Sequence, residues 1–405
     1  MTTLPLAGIR VVDLSSVLMG PYASQWLADF GAEVIKVESP EGDSTRTTGP
    51  ARETGMSAVF FGLNRSKKSV VIDLKSPDGQ QALQQLIGTA DVFMHNMRPQ
   101  KLGKVGLGPA TLRARFPRLV YAGLHGFSED GPYGGKPAYD DIIQGLSGCA
   151  DLMARQSGTM RYFPMTIADK TSGLVAAMAI LAALMKRHAS GQGCQVEIPM
   201  FETMAAFNLV EHFYGGHFDP PLSEPGYPRV LAEWRRPYRT ADGHVCIMPY
   251  TDAHWRRFFE AAGQPGHAAD PRFSSMSART VNIGELYRIT GEIVAQQDSA
   301  YWLELCERIE VPASRVNLLQ DLPNDPHLKA TGFFERLEDQ SMGTLVFPGV
   351  PVRFDGERPP VGPAPRHGAD TVSVLREAGL DEAQIASLLA RGIVVSPNAK
   401  KGSTQ

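Results

Sequence analysis

Short β-branched apolar runs alternate with amphipathic segments along the first part of the chain. Residues 8–14 predict a strand, 22–30 carry the spacing of a helix, and 33–38 predict a second strand. The pattern recurs with predicted strands at 69–74, 91–94 and 119–124 and a predicted helix at 79–87. Alternation of this kind is typical of a parallel sheet covered by helices, so we assign the chain to the α/β class.

The later part of the chain changes character twice. A Pro- and Gly-dense stretch at 215–232 predicts a linker that follows a first domain over 1–214. Residues 233–326 mix a short strand pattern with helical segments, which predicts a smaller α+β domain. Strand character returns at 344–354, two terminal helices follow, and the polar residues 396–405 predict a disordered tail.

Composition narrows the class of partner. The 405 residues are 43% apolar and 20% charged, enough for a large core, and the formal net charge is −3. No basic run is present of the kind that nucleic acid or an acidic membrane surface selects, so we expect neither partner. The longest apolar run, 173–185, is shorter than the roughly 20 residues of a membrane span and predicts a buried helix.

Cysteine spacing and the first residues indicate a location. The four cysteines include no Cys-x-x-Cys pair, so neither a disulfide framework nor a zinc site is predicted. The first residues lack the basic and apolar regions of a secretory signal. We therefore expect a cytoplasmic protein.

Ligands of open α/β sheets bind beyond the carboxyl ends of the strands, where helix N-termini offer free N–H groups. The turns after Leu14, Glu38, Met94 and Leu124 are therefore the candidate ligand sites. None of them carries a Gly-x-Gly-x-x-Gly or Gly-x-x-x-x-Gly-Lys-Ser/Thr motif, which argues against a dinucleotide enzyme or a P-loop ATPase. The histidines lack metal-ligand spacing, so we predict no metal and no permanently bound cofactor.

A set of separated motifs runs through nearly the whole chain, from about residue 4 to 395. It comprises residues 6–14, 20–21, 30–38, 42–43 with Arg46, 63–64 with 67–69, 95–99, 126–127, 131–133, 138–140, Asp169, 191–193, and 238–243 with Trp255. In this order the set resembles the family III CoA-transferases, the CaiB/BaiF group, which includes formyl-CoA:oxalate CoA-transferase and the carnitine CoA-transferases. Each motif alone is weak, and their order makes the resemblance specific.

The resemblance implies a fold and an assembly. It implies a large Rossmann-like parallel-sheet domain that binds CoA and a smaller α+β domain, with residues 327–395 returning to the large domain. It also implies an interlocked homodimer in which two ring-like chains thread through one another. An acyl-CoA and a free carboxylic acid would be the substrates.

The resemblance further implies that Asp169, within residues 166–173, is the nucleophile. Its carboxylate would attack the thioester to form a mixed anhydride, and the released CoA would then form an aspartyl-CoA thioester that the acceptor acid opens. Taken alone, Asp169 is more typical of an N-cap on a helix entered near Thr171. In that position the positive end of the helix would keep the carboxylate ionised near neutral pH, and Thr171 or Ser172 would be left to cap the helix.

The remaining site predictions also come from the resemblance. CoA carries phosphates and a long pantetheine arm, so its site needs cations, N–H groups and an extended groove. The residues assigned to the acid pocket are Tyr139 and Asp140. The residues assigned to CoA are Val17, Leu18, Ile72, Asp73, Leu74, Lys75, Asn96, Met97, Arg98, Lys104 and Lys136.

Departures from the family pattern bear on the substrate and on competing functions. Leu18 stands where oxalate-specific members carry Gln, and this difference favours a larger, less polar acid as the substrate. Ser39 replaces an Arg that some members place near the nucleotide of CoA. A 2-methylacyl-CoA racemase of the same fold would use a His-Asp pair, and Tyr139 stands in place of that His. A non-catalytic CoA-binding subunit is a third hypothesis.

Overall fold

The computed structural model describes residues 3–397, so most of the predicted disordered tail, from residue 398 on, lies outside the described part. The first half contains β1 (Arg10–Asp13), α1 (Met19–Asp29), β2 (Glu33–Glu38), α2 (Ala58–Asn64), β3 (Lys67–Ile72), α3 (Pro77–Ile87), β4 (Val92–His95), α4 (Pro99–Lys104), α5 (Pro109–Arg115), β5 (Val120–His125), α6 (Asp140–Leu146), α7 (Cys149–Ser157), α8 (Ile167–Ser190), β6 (Gln195–Pro199) and α9 (Met200–His212).

The second half contains shorter elements. They are α10 (Pro228–Leu231), β7 (Tyr238–Arg239), β8 (His244–Ile247), α11 (Asp252–Ala261), α12 (Pro265–Ala268), α13 (Met276–Val281), α14 (Ile283–Val294), α15 (Ser299–Arg308), β9 (Ala313–Arg315), α16 (Pro326–Ala330), β10 (Phe334–Asp339), β11 (Gly343–Pro348), α17 (Thr371–Glu377), α18 (Glu382–Ala390) and β12 (Val394–Val395).

The chain divides into two compact units. Among the described residues, the larger unit contains 3–147, 164–205 and 327–397, and the smaller unit contains 148–163 and 206–326. The smaller unit thus takes in 148–163 and 206–214, which we had predicted in the large domain, and it includes the stretch predicted as a linker, 215–232. The amide of Asn208 donates to the Cys149 sulfur at 3.2 Å, and such a pairing of distant segments leaves no periodic signal in the sequence.

A seven-stranded sheet forms the centre of the larger unit. Its order is β12-β3-β2-β1-β4-β5-β6, and every pairing is parallel except that of β12 with β3. This confirms the predicted Rossmann-like α/β class. Because the chain moves from β1 to β2 on one side and later to β4 on the other, the sheet has its topological switch point between β1 and β4.

Apolar side chains from the central strands fix the register of the sheet. Val12 of β1 lies opposite Ile35 of β2 on one side and Phe93 of β4 on the other, and all three have no exposed surface. The short β-branched runs that predicted these strands are therefore buried on both faces, as parallel strands covered by helices require. The ends of β1 and β4 are held side by side.

The helix α8 is longer than the apolar run that predicted it. It has 24 residues, and by length and composition alone it could cross a membrane, although 44% of its most apolar window is buried. It packs against α1 and against β5 and β6, as the core helix of a folded domain does. The prediction of a helix is confirmed, but the prediction that it is buried fails on one face, where Leu174, Met178 and Met185 are exposed.

The smaller unit has its own sheet and core. Its strands pair in the antiparallel order β7-β8-β9. Aromatic side chains from α11 and α15, including Trp255, Phe258 and Trp302, fill the space between this sheet and the helices. The predicted α+β character of this region is confirmed.

Candidate active site

A cavity of about 380 Å³ opens at the switch point of the larger unit. Its walls are the turn after β1, the segment from β4 into α4, the segment after β5, and the first turn of α8. The predicted site residues that line it are Val17, Leu18, Asn96, Met97, Arg98, Lys136, Tyr139 and Asp169. Four segments that are distant in sequence thus meet where the strand order reverses.

The turn after β1 has a strained backbone. Val17 has a φ of 70°, in the left-handed region that a β-branched side chain rarely adopts. The Asn96 side chain holds the preceding residue from both sides: its oxygen accepts from the Ser16 N–H at 3.0 Å and its nitrogen donates to the Ser16 carbonyl at 2.7 Å. Strain of this kind persists only where the surroundings enforce it.

A buried ion pair also holds the Val17 turn in its strained conformation. The Asp43 carboxylate accepts the Val17 N–H, with oxygens at 3.2 and 3.4 Å, and it pairs with the Lys36 ammonium at 2.8 Å. Lys36 has no exposed surface and also donates to the Ser15 carbonyl at 3.0 Å. Burial alone raises the pKa of the Asp43 carboxyl, but the charge and hydrogen bond of Lys36, together with two hydrogen bonds from Thr45, hold that pKa below its usual range. The Asp43 carboxylate therefore stays ionised and fixes the turn.

Asp169 lies inside the first turn of α8. The helix begins at Ile167 with Thr166 in the N-cap position, so the interpretation of Asp169 as an N-cap near Thr171 is wrong. Burial and the nearby Asp140 carboxylate raise the pKa of Asp169 to about 7. A pKa of about 7 leaves this carboxyl only partly ionised near neutral pH, so the positive end of the helix does not offset these two effects completely.

Asp140 supplies the cap that Asp169 does not. It begins α6 and is buried, one carboxylate oxygen accepts the Asp169 backbone N–H at 3.0 Å, and the other accepts from Gln144 at 2.6 Å. The first N–H groups of a helix lack partners within the helix, and Asp140 satisfies one of them for α8. Asp140 does not line the cavity, whereas its neighbour Tyr139 lines it and is 70% exposed. Asp140 thus holds the main chain under Asp169 and places a second negative charge beside it.

Comparison with known proteins decides the family. The sequence model of CoA-transferase family III matches residues 6–371. This chain belongs to CoA-transferase family III. It is 33% identical over 390 residues to succinate–glutarate CoA-transferase of Agrobacterium fabrum, covering 92% of this chain and 95% of the relative. It is 31% identical over 399 residues to succinyl-CoA–D-citramalate CoA-transferase of Chloroflexus aurantiacus, covering 96% and 98%.

Solved structures agree with the assignment to this family. Rv3272 from Mycobacterium tuberculosis matches with a TM-score of 0.79 and 28% identity, over 91% of this chain and 99% of that one. A CaiB/BaiF family protein from Brucella suis matches with a TM-score of 0.77 and 30% identity, over 93% and 100%. The chain is thus an enzyme of the CoA-transferase class, and CoA is a substrate of its family.

Three cations line the cavity of this CoA-transferase. Arg98, Lys101 and Lys136 are exposed there, and none of the three forms an ion pair with a carboxylate among residues 3–397. The Lys136 ammonium lies 4.5 Å from the centre of the Tyr133 ring, a cation–π distance. Unpaired cations beside a helix start suit the phosphates of a nucleotide. Lys101 was not predicted as a site residue. Its position in the first turn of α4, directly after β4, could have indicated it.

Other predicted CoA residues lie outside the cavity lining. Ile72 is fully buried at the end of β3, and Asp73 turns back to accept the Lys75 N–H at 2.9 Å. Lys75 is exposed and lies 3.8 Å from Glu41, while Lys104 is exposed at the end of α4. The structure does not bring these residues, or Leu74, together with the cavity. Their contact with CoA stays a prediction.

Two histidines close to the cavity have buried ring nitrogens. His125 lines the cavity and His95 lies behind it, with ring centres 5.6 Å apart. Burial lowers the pKa of His95 to about 3, and burial also lowers the pKa of His125 in spite of Glu129 and Glu197 nearby. Both rings are therefore neutral at pH 7, which suits a structural role.

We predict that Asp43→Ala destabilises the protein strongly. The variant leaves the Lys36 charge buried without a partner and the Val17 N–H without an acceptor, which costs roughly 3–5 kcal/mol of unfolding free energy. Urea denaturation at pH 7 measures the change. Glu382→Ala, which breaks the exposed pair with Arg376, is the control and should leave the unfolding midpoint nearly unchanged. Equal effects in the two variants would contradict the role of the buried pair.

Proposed function

We propose that this enzyme moves CoA from an acyl-CoA to a free carboxylic acid, with Asp169 as the nucleophile. The observation that carries the proposal is the position of Asp169, which lines the cavity at the switch point. Its main chain is fixed by the Asp140 carboxylate at 3.0 Å. A fixed nucleophile beside a cationic groove is the arrangement that covalent transfer from a thioester requires.

The chemistry needs no proton or electron from outside. A carboxylate oxygen of Asp169 attacks the thioester carbonyl, the C–S bond breaks, and the CoA thiolate leaves a mixed anhydride on the enzyme. The thiolate then attacks the Asp169 carbonyl carbon and releases the first acid, which forms an aspartyl-CoA thioester. The acceptor carboxylate opens that thioester to a second anhydride, and the thiolate attacks its acyl carbonyl to give the new acyl-CoA and free Asp169.

The proposal extends to the residues that bind CoA. Arg98, Lys101 and Lys136 would meet its phosphates, and the backbone of the Val17 turn would line its path to Asp169. We retain residues 72–75 and Lys104 as proposed contacts at the outer end of the nucleotide. No metal enters the mechanism. The net charge of −3 without a basic run supports an enzyme without nucleic-acid or membrane partners, and the cysteine spacing supports a cytoplasmic location.

The acid is proposed to be a small or medium organic acid other than oxalate. Leu18 lines the cavity and offers an apolar side chain where a short diacid would need a polar one. Relatives named for succinyl-CoA with glutarate, malate, citramalate and mesaconate support a diacid of intermediate length. Succinyl-CoA and glutarate are the first pair to assay.

We predict that Asp169→Ala abolishes transfer while CoA still binds. The variant lacks the group that holds the acyl chain, so the rate of transfer from succinyl-CoA should fall by at least about 10³-fold. Acyl-CoA incubation followed by hydroxylamine or borohydride trapping and mass spectrometry should place an adduct on Asp169 of the unmodified enzyme. Asp141→Ala, which changes an exposed acid of α6, is the control and should retain both transfer and adduct.

Several outcomes would contradict Asp169 as the nucleophile of a CoA-transferase. Retained turnover in Asp169→Ala would refute the role of Asp169, and an active preparation without an adduct would refute covalent catalysis. Exchange of the substrate α-proton with deuterium, without CoA transfer, would instead identify a racemase. CoA binding without either reaction would identify a non-catalytic subunit.

We predict that transfer declines as the pH falls through about 7. Only the ionised carboxylate attacks, and burial together with Asp140 raises the pKa of Asp169 to about 7. Asp140→Asn keeps an oxygen acceptor for the Asp169 N–H but removes the neighbouring charge. It should move the acid limb of the kcat/KM profile to lower pH, whereas Asp141→Asn should leave it in place. An unshifted limb in Asp140→Asn would contradict the coupling of the two carboxylates.

The interlocked homodimer is also part of the proposal. Leu174, Met178 and Met185 expose a continuous apolar face of α8, and a second copy would cover apolar surface of this kind. Light scattering coupled to size exclusion should give a mass of about twice 44.0 kDa. A monomer at micromolar concentration would contradict the dimer.

A further inference from the structure

The smaller unit contains a cavity that the transfer mechanism does not use. It has a volume of about 290 Å³, near the lower end of roughly 300–1,000 Å³ for small-molecule sites. Its lining includes Arg229, Arg235, Arg236, Tyr238, Met248 and Tyr287. Three arginines therefore contribute to the lining of a cavity whose other side chains are mostly apolar or aromatic.

None of these three arginines has a carboxylate partner among residues 3–397, and Glu233 in the same turn forms no ion pair with them. Five other arginines of the smaller unit are paired, whereas Arg161, Arg239, Arg256, Arg308 and Arg315 form no ion pair among residues 3–397 either. Those pairs are Arg155 with Asp151, Arg257 with Glu310, Arg272 with Asp270, Arg279 with Asp252, and Arg288 with Glu285. What distinguishes the cavity is that three arginines without a carboxylate partner contribute to one lining.

The first of the three guanidinium groups is held in place before any ligand arrives. The Nε of Arg229 donates to the Tyr287 hydroxyl at 3.0 Å, and Tyr287 is buried. One terminal nitrogen of Arg229 lies 3.5 Å from the Met248 sulfur, a weak acceptor. Because the guanidinium is planar, fixing Nε fixes the orientation of the whole group.

A tight turn holds the main chain of the other two arginines. The Arg235 N–H donates to the Ala232 carbonyl at 3.0 Å, and the Arg236 N–H donates to the Trp234 carbonyl at 2.9 Å. The Arg236 guanidinium also lies 4.3 Å from the centre of the Trp234 ring. Neighbouring cations repel one another, and an anion bound between them relieves that repulsion.

We propose that this cavity binds a small oxyanion with an apolar body. Guanidinium groups match carboxylate and phosphate oxygens with paired N–H bonds, and the floor of Tyr238, Ile247 and Met248 suits a short hydrocarbon chain. A cavity of this volume admits a small molecule. The oxyanion is the carboxylate of an organic acid or the phosphate of a nucleotide.

Calorimetric titration of the full-length enzyme, without any thioester, tests the site. Glutarate and adenosine 3′,5′-bisphosphate are the two probes. We expect the affinity for one of them to fall at least about tenfold in Arg235→Gln/Arg236→Gln. Loss for glutarate assigns the site to a carboxylate, and loss for the bisphosphate assigns it to a phosphate.

Two further variants make the titration specific. Arg256→Gln removes an exposed arginine of the same unit that does not line the cavity, so it should leave both affinities unchanged. Tyr287→Phe removes only the hydroxyl that orients Arg229, and it should weaken the same probe several-fold even where the double variant does not fold.

Three results would overturn the proposal. They are unchanged affinities for both probes, an equal loss in Arg256→Gln, or a change in oligomeric state without a change in affinity. The titration involves no transfer chemistry, so its outcome is independent of whether Asp169 is the nucleophile.

Discussion

The buried pair of Lys36 and Asp43 is the interaction on which the geometry of the site depends. Its two charges lie 2.8 Å apart in the interior, and the same carboxylate holds the N–H of Val17 in a left-handed backbone conformation. A buried pair of this kind adds little net stability compared with apolar residues, but it is costly to break. That asymmetry makes it suitable for holding a strained turn. The Val17 turn forms part of the wall of the cavity at the ends of β1 and β4.

Much of the fold could be predicted from the sequence because its strands are short, β-branched and buried on both faces. The alternation of residues 8–38 identified β1, α1 and β2 almost at their observed bounds. The edge strand β12, only two residues long, could not be predicted, since it pairs with β3 across more than 300 positions. The same limit applies to 148–163, whose partners lie on segments that follow it by 50 residues or more.

The site was predictable in outline but not in its electrostatics. Asp169 and the residues after β4 followed from the family motifs and from the ends of the strands. The role of Asp140 did not, because its hydrogen bond joins a helix start to a backbone N–H 29 residues away. The raised pKa of Asp169 could not be predicted from the sequence for the same reason. The effect of a helix end on a pKa can be expected from the local sequence. The burial of Asp169 and its closeness to the Asp140 carboxylate depend instead on how α6 packs against α8.

A carboxylate with a raised pKa has an advantage in this chemistry. In the proposed mechanism the Asp169 carboxylate attacks a thioester, and its carbonyl carbon is later attacked by the CoA thiolate. The basicity of the carboxylate would therefore affect both directions of exchange. A higher pKa makes the ionised oxygen a better nucleophile, and a value near the working pH keeps about half of the molecules ionised. Asp140 contributes to both properties, since it raises the pKa by its charge and fixes the main chain by its hydrogen bond. Placing Asn at position 140 therefore separates these two contributions, which a change at Asp169 itself cannot do.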